Sequence, residues 1–270
     1  MNPSIVTIKG QKPGKTIAVF AGIHGDELAG VEAVTSASEI VEITSGIVHF
    51  VIANPQAVKD KVRFTEKNLN RCFVKNNTGQ TYEDGLARQL MALLDKSDAL
   101  LDLHGYNGPE DRPFLICEAE SFDLASKLDF GVVSSGWSAT EPGGTDGYMH
   151  AQSKIAICAE CGSNFRADQY ADLATGTINQ YLRFFGAINQ PLESKSRPQQ
   201  FIKVVDVVKK QTDTLVFSRP FSNFDLLEPG EIFATDGDKK YQAGKNQVII
   251  FPRPKAKIGD EAFVLGEVGL

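Results

Sequence analysis

Short, strongly apolar runs alternate with helix-compatible stretches through the larger, N-terminal part of the chain. Four such runs occupy residues 17–20, 47–53, 99–103 and 154–159. Strands buried on both faces carry little polar alternation, and they are typical of parallel or mixed sheets covered by helices. The pattern therefore predicts an α/β fold, a mixed sheet with helices on both faces. In such sheets, functional side chains lie on loops at the carboxyl ends of the strands.

The C-terminal residues 201–270 have a different pattern, in which short β-rich runs are separated by turn sequences such as DGDKK and IGDE. No helical period is present there, which predicts a small all-β domain that caps the site of the first domain. The segment before it is polar and contains two prolines. We therefore expect an α/β domain at 1–190, a linker at 191–200 and a β-rich domain at 201–270.

Composition excludes several classes of protein. The net charge of −6 provides no basic surface for nucleic acid or for an anionic membrane. No apolar run approaches the roughly 18 residues that a membrane-spanning helix needs, and the N-terminus lacks the apolar stretch of a signal peptide. Four cysteines in 270 residues do not resemble a disulfide framework. We therefore expect a cytoplasmic protein that binds neither nucleic acid nor membrane.

Two histidines and a glutamate lie where apolar runs end. His24 and Glu27 are three residues apart, between the run at 17–20 and a helix-compatible stretch. One nitrogen and one oxygen ligand suit zinc, and a catalytic zinc usually has three protein ligands. His104 closes the run at 99–103 on the same side of the sheet and is the natural third ligand. A surface turn and a structural histidine are the alternatives for these two motifs.

Two carboxylates accompany the candidate ligands. Asp102 shares a strand face with His104, because residues i and i+2 of a strand point the same way, and it is a candidate to support that ligand. Glu160 follows the run at 154–159, where burying a carboxylate is costly unless it has a function. A general base beside a metal-activated water is such a function. The CAEC spacing around it matches a thiol pair, but the strand context argues against a structural zinc or redox role.

A long polar stretch at residues 54–73 reads as a loop, and loops of this length are more often functional than not. It carries Arg63, Asn70 and Arg71. An asparagine next to an arginine can bind a carboxylate, because the guanidinium pairs with it bidentately and the amide adds a directional hydrogen bond. A solvated polar loop is the alternative.

A glycine-rich stretch at residues 140–152 also reads as a loop. Tyr148 and His150 are its side chains with chemistry, and either could contact a substrate. A mobile loop without a catalytic role is the alternative.

In their order and spacing, these motifs resemble those of the succinylglutamate desuccinylase/aspartoacylase family, which is related in fold to the zinc carboxypeptidases. The matching segments are GIHGDE at 22–27, NLNR at 68–71 followed by Phe73, DLHG at 102–105 and AECG at 159–162. Four segments in the right order are much more specific than any one of them. The resemblance covers residues 17–165, and the β-rich C-terminal part also fits it.

The resemblance implies a role for each matching position. The implied ligands of one zinc ion are His24, Glu27 and His104. The implied catalytic groups are Glu160, the general base, and Arg63, which would polarise the scissile carbonyl. The implied substrate-binding pair is Asn70 and Arg71, to which the loop analysis adds Tyr148.

Three positions depart from the family pattern. Asn68 stands where aspartate is more usual. A further arginine of the aspartoacylases, upstream of the catalytic glutamate, is replaced here by the stretch 147–150, and their C-terminal tyrosine by Phe263. The chemistry therefore transfers from the resemblance better than the substrate does.

The function that follows is a zinc-dependent hydrolase cleaving an amide bond in an N-acyl amino acid. A carboxypeptidase-type metallopeptidase acting on a peptide C-terminus is the alternative, because a carboxylate-binding pair serves both. A non-catalytic metal- or ligand-binding protein is less favoured. The expected partner is a small N-acyl amino acid or a short peptide, and the sequence predicts no oligomeric state.

Overall fold

The computed structural model describes residues 1–106, 112–164, 167–191 and 198–269. The chain divides into two compact units, Met1–Val133 with Pro142–Gln199 and Ser134–Glu141 with Gln200–Leu270. The sequence pattern did not indicate that Ser134–Glu141 groups with the C-terminal strands. Most of the linker predicted at 191–200, residues 192–197, lies outside the described residues.

A mixed sheet forms the centre of the first unit. Its strands are β1 (Ser4–Lys9), β2 (Lys12–Ala21), β3 (Ser45–Ile52), β4 (Ala99–Tyr106), β5 (Phe114–Ile116), β6 (Val132–Ser135) and β7 (Ile155–Ser163), in the order β1-β3-β2-β4-β7-β5-β6. Strands β3, β2, β4 and β7 run parallel, whereas β1 and β5 pair antiparallel with β3 and β7. The mixed sheet that the apolar runs predicted is therefore confirmed.

Helices cover both faces of this sheet. They are α1 (Leu28–Ile40), α2 (Pro55–Asp60), α3 (Tyr82–Leu94), α4 (Phe122–Ala125), α6 (Thr145–His150) and α7 (Ala167–Phe184), while α5 (Trp137–Thr140) belongs to the second unit. Each face of the sheet has its own hydrophobic core, and successive side chains of β4 point alternately to one core and to the other. Leu101 and Leu103 pack with residues of α1 and α7, whereas Leu100 packs with residues of α3 and α6. In the described parts of the chain, no helix is long and apolar enough to cross a membrane.

Both stretches predicted as loops contain a short helix. Residues 54–73 include α2 and a 3₁₀ turn, Leu69–Arg71, and residues 140–152 include α6. Helix α2 forms because Asn54 caps it, with its side chain accepting from the Ala57 N–H at 3.1 Å, and because a proline occupies the first turn. Six residues are fewer than two helical turns, so neither helix produces a periodic apolar pattern.

The second unit is rich in strands, as residues 201–270 predicted. Strands β8 (Gln200–Lys209), β14 (Glu261–Val268), β13 (Gln247–Ile250) and β10 (Asp225–Leu226) are ordered β8-β14-β13-β10. Strands β9 (Val216–Phe217), β11 (Ile232–Asp236) and β12 (Lys239–Gln242) form a three-stranded sheet. All the pairs are antiparallel. Aromatic rings pack edge-on in its core, with Phe233 and Phe263 5.4 Å apart.

Candidate active site

The turn after β2 places His24 and Glu27 at the carboxyl edge of the sheet. Gly25, between them, packs so closely on helix α2 that a Cβ atom would overlap the backbone of Ala57. Only glycine permits this approach. The Gly25 N–H also donates to the Arg63 carbonyl at 3.3 Å. The turn is thus held against the segment that carries Arg63.

Three buried side chains converge at this edge. The Glu27 carboxylate lies between two imidazoles, with Oε1 2.7 Å from His24 Nδ1 and Oε2 3.0 Å from His104 Nδ1. The backbone N–H of Gly105 donates to Oε2 at 3.1 Å. Each of the three side chains is 3% exposed. The structure therefore brings together the three residues that the sequence predicts as zinc ligands.

Each imidazole has a polar group at its other nitrogen. His24 Nε2 lies 3.0 Å from Oδ1 of Asn68, and because an amide oxygen only accepts, Nε2 carries the proton. His104 Nε2 lies 3.1 Å from Oδ2 of Asp102, a charge contact in which the ring N–H is not directed at the oxygen. In both rings Nε2 faces the outer polar group and Nδ1 faces Glu27.

This donor set fits zinc. A ligand atom from each of His24, Glu27 and His104 lies within 4.8 Å of the other two. Ligands about 2.0–2.2 Å from a tetrahedral zinc are about 3.3–3.6 Å from each other, and the Glu27 oxygens already lie 2.7 and 3.0 Å from the two imidazole nitrogens. Two imidazoles, one carboxylate and an open position are the composition of a catalytic rather than a structural zinc site.

Charge compensation holds the cluster together without an ion. Burial lowers the pKa of His24. For His104, burial acts in the same direction but is outweighed by the acidic groups around it, so its pKa lies well above the ordinary value. Burial would raise the pKa of Glu27, but attraction to the two histidines outweighs it and the pKa lies well below the ordinary value. The space between an anionic Glu27 and the two imidazoles is therefore suited to a cation.

Glu160 lies next to this cluster on the neighbouring strand. It pairs with His104 in the parallel register of β4 and β7, so the two side chains lie side by side on the same face. Strand β7 extends beyond the predicted run, and Glu160 lies within it rather than after it. The side chain is 8% exposed, so the carboxylate is largely removed from solvent.

Arg63 also reaches the cluster. Its guanidinium donates from Nη1 to Glu27 Oε1 at 3.2 Å, and the side chain is 37% exposed. It is therefore the least buried member of the group. A cation at this position can interact with a ligand at the open side of the site.

Asn70 and Arg71 lie on the 3₁₀ turn and are held by the glycine-rich stretch before α6. Asn70 Oδ1 accepts from the Thr145 N–H at 3.3 Å. A Cβ atom at Gly143 would lie 2.8–3.0 Å from the Arg71 backbone, so glycine is required there. The Thr145 hydroxyl donates to Asp102 Oδ2. These contacts link the turn to the carboxylate beside His104.

The structure does not bring Tyr148 to this group. Its hydroxyl donates to Asp95 at 2.7 Å, and Asp95 follows α3 shortly before β4 begins. The carboxyl edge of β4 carries His104, so Tyr148 lies toward the opposite end of that strand. The predicted contact between Tyr148 and substrate is therefore withdrawn. His150 likewise donates from Nε2 to the Ala156 carbonyl at 3.1 Å.

Sequence reasoning missed Glu83, which is fully buried in the first turn of α3. Its carboxylate accepts from the N–H and the hydroxyl of Thr65 at 2.7 and 2.6 Å. It also accepts from the N–H groups of Glu66 and Lys67, both at 3.2 Å, and from Asn54. This carboxylate therefore anchors the segment that carries Arg63. Glu83 lies in an amphipathic helix pattern, and that pattern did not indicate that its side chain is buried.

Replacing Glu83 by alanine is expected to lower the free energy of unfolding by about 3 kcal/mol, because several buried donors lose their acceptor. Burial would raise the pKa of Glu83, but hydrogen bonds from Thr65 and Asn54 outweigh it and lower the pKa. The stabilisation is thus complete above the unfolded-state pKa and is lost as pH falls through the folded-state pKa. Urea unfolding at several pH values measures both effects, with the exposed Glu39→Ala as control. Equal stability of the two variants would contradict the anchoring role.

The fold and the cluster define a class of protein: an α/β domain with a buried His/Glu/His group at the carboxyl edge of a mixed sheet, followed by a β-rich domain. Residues 13–184 match the succinylglutamate desuccinylase/aspartoacylase catalytic domain, and residues 198–266 match the AstE/AspA barrel-sandwich hybrid domain. The chain therefore belongs to the succinylglutamate desuccinylase/aspartoacylase family, which confirms the resemblance drawn from its motifs.

Individual relatives are similar over most of the chain. A succinylglutamate desuccinylase of Vibrio parahaemolyticus is 29% identical to this chain. The alignment covers 93% of this chain and 80% of the relative. A crystal structure of succinylglutamate desuccinylase from the same species has a TM-score of 0.78 at 23% identity, covering 98% of this chain and 86% of that one. The product-bound ectoine utilization protein EutE of Ruegeria pomeroyi has a TM-score of 0.77 at 19% identity, covering 97% and 87%. Both structural similarities concern the fold.

Proposed function

We propose that this protein is a zinc-dependent hydrolase that cleaves the amide bond of an N-acyl amino acid. The observation that carries the proposal is the convergence of His24, Glu27 and His104 in a buried group, with Glu160 beside it in the strand register. Family membership supports an amide hydrolase, because the family is named for activities of this kind. The three ligands and the neighbouring carboxylate are the parts that such a reaction needs.

The residues of the chain then have separate tasks. His24, Glu27 and His104 would hold the zinc ion, which when bound would supply Lewis-acid activation of the carbonyl and of water. The Glu160 carboxylate accepts a proton from the attacking water and delivers it to the leaving amine. Arg63 donates to the oxygen that becomes negatively charged, and one well-placed donor of this kind contributes about 3–4 kcal/mol in other hydrolases.

Asn70 and Arg71 hold the substrate by a carboxylate. Because Asn70 Oδ1 accepts from Thr145, the amide is oriented and its Nδ2 group is the part that donates to a ligand. The Arg71 guanidinium supplies the charge and the bidentate geometry. Holding the substrate at one end positions the scissile bond against Glu160 and the group of His24, Glu27 and His104.

A substrate panel tests the proposed activity. We expect the zinc-loaded protein to hydrolyse N-succinyl or N-acetyl amino acids, measured by release of the free amine, and to be inactive after chelation. Arg71→Ala is expected to lower kcat/KM by about 10- to 150-fold, mainly through KM, since a hydrogen bond to a charged group contributes about 1.5–3 kcal/mol. Arg88→Ala, on the exposed side of α3, is the control.

The same substrate panel distinguishes the proposed activity from the alternative, a carboxypeptidase. Hydrolysis of short peptides with a free C-terminus, without cleavage of N-acyl amino acids, would overturn the proposal in favour of a carboxypeptidase.

We also place the protein in the cytoplasm, because all four cysteines are free and buried and none is used for a disulfide.

A further inference from the structure

A second set of metal-ligating side chains lies beside the first and shares one residue with it. Ligand atoms of His104, Cys158 and Glu160 lie within 4.8 Å of one another, and all three side chains are buried. Cys158 and Glu160 are two residues apart on β7 and therefore point to the same face as His104. The proposed zinc site uses His104 but does not use Cys158.

His104 has one nitrogen for each set. Its Nδ1 faces Glu27 at 3.0 Å, which assigns that nitrogen to the first site. Its Nε2 is buried and forms no well-directed hydrogen bond within the described residues, although Asp102 Oδ2 lies 3.1 Å away. A buried ring nitrogen without a hydrogen bond is uncommon and calls for an explanation. A bound metal ion would be such an explanation, and the neighbouring thiol and carboxylates are suitable ligands for it.

We propose that His104, Cys158 and Glu160 form a second, weaker binding position for a divalent thiophilic cation such as zinc or cadmium. A nitrogen, a thiolate and a carboxylate are ligands that zinc accepts, and the thiolate selects soft ions over magnesium or calcium. As the ion binds, the thiol proton and the Nε2 proton leave to solvent, and the imidazole bridges the two ions.

The charges of the site accommodate two divalent ions. Glu27, Asp102 and Glu160 contribute three carboxylates, and loss of the Cys158 and His104 protons adds two negative charges. Arg63, which contacts Glu27, offsets one of these charges, so the remaining charge matches two divalent cations. The second position is the weaker one, because binding there must displace protons from the buried Cys158 thiol and from His104 Nε2.

The consequence for activity rests on the proposed function. An ion bound by Glu160 occupies the carboxylate that accepts the proton from water, so filling the second position inhibits hydrolysis. Excess zinc or cadmium is therefore expected to inhibit an enzyme that already holds its first zinc. Binding itself does not depend on the proposed function and is measured separately.

Cysteine variants of the zinc-loaded protein test the second position. Cadmium is added, and thiolate-to-metal charge-transfer absorbance, retained zinc and hydrolysis are recorded. Wild type and Cys161→Ser are expected to show the absorbance and to be inhibited with zinc retained. Cys161 is the matched control, because it is buried in the same strand but belongs to the core on the opposite face. Cys158→Ser is expected to lose the absorbance and to need at least tenfold more cadmium for inhibition.

The outcomes are distinguishable. Equal absorbance and inhibition in Cys158→Ser and wild type would overturn the proposal, and so would release of the first zinc at inhibitory cadmium concentrations. Absorbance that depends on Cys158 in a protein that hydrolyses no substrate would uphold the second position and overturn the proposed function alone. Cys158→Ala, which introduces no hydroxyl into the buried site, replaces the serine variant if that variant does not fold.

Discussion

Replacing Glu160 by glutamine is expected to lower kcat by about 10²- to 10⁴-fold, the usual contribution of general acid–base catalysis. Glutamine keeps the shape of the side chain but cannot accept a proton at neutral pH. The proposed zinc ligands His24, Glu27 and His104 are unchanged, so zinc content measured by elemental analysis is expected to remain at the wild-type value. The change therefore separates proton transfer from metal binding.

Two measurements distinguish a catalytic from a structural role for Glu160. Loss of kcat with nearly unchanged KM identifies an interaction made in the transition state rather than in substrate binding. Glu160→Asp keeps a carboxylate but withdraws it by one methylene, so an intermediate rate is expected. A glutamine variant that retains zinc and turns over within tenfold of wild type would contradict the assignment of Glu160 as the base.

The positions of the ligands follow from simple properties of strands. In parallel strands the carboxyl ends meet at one edge, so His24 after β2 and His104 near the end of β4 are expected together. The proximity of Asp102 to His104 follows from the period of two along a strand. Glu160 is placed by the register of β7 against β4. The first two inferences need only the strand pattern and the side-chain chemistry, whereas the register that places Glu160 is seen only in the structure.

Contacts between distant segments could not be predicted in the same way. Asn68 reaches His24 across 44 positions of sequence, and this contact depends on how the segment before the 3₁₀ turn folds. Glu83 looks like a surface residue of an amphipathic helix, and only the fold of the Arg63 segment shows that it is buried. Tyr148 was assigned to a loop, whereas α6 directs its hydroxyl to Asp95. Local patterns carry no information on such pairings.

Replacing Glu27 by alanine is expected to have the largest effect on the protein, because it removes both a proposed zinc ligand and the charged partner of the buried His104. The carboxylate contacts His24, His104, Gly105 and Arg63. We expect no zinc after purification and no measurable hydrolysis. In the metal-free protein, loss of one partner of a buried charged pair lowers the free energy of unfolding by about 3–5 kcal/mol.

Comparing metal-free proteins isolates the structural part of this effect. Urea unfolding of chelator-treated wild type and Glu27→Ala measures the change in the free energy of unfolding. The exposed Glu32→Ala, in helix α1 directly after Glu27, is the control. Glu27→Gln still accepts a hydrogen bond from the Gly105 N–H but carries no charge, so we expect a smaller destabilisation and still no zinc. If Glu27→Ala retained stoichiometric zinc, the ion would have to be held elsewhere, and His24 and His104 would lose their assigned role. Loss of zinc with unchanged metal-free stability would instead show that the histidines are neutral in the absence of the ion.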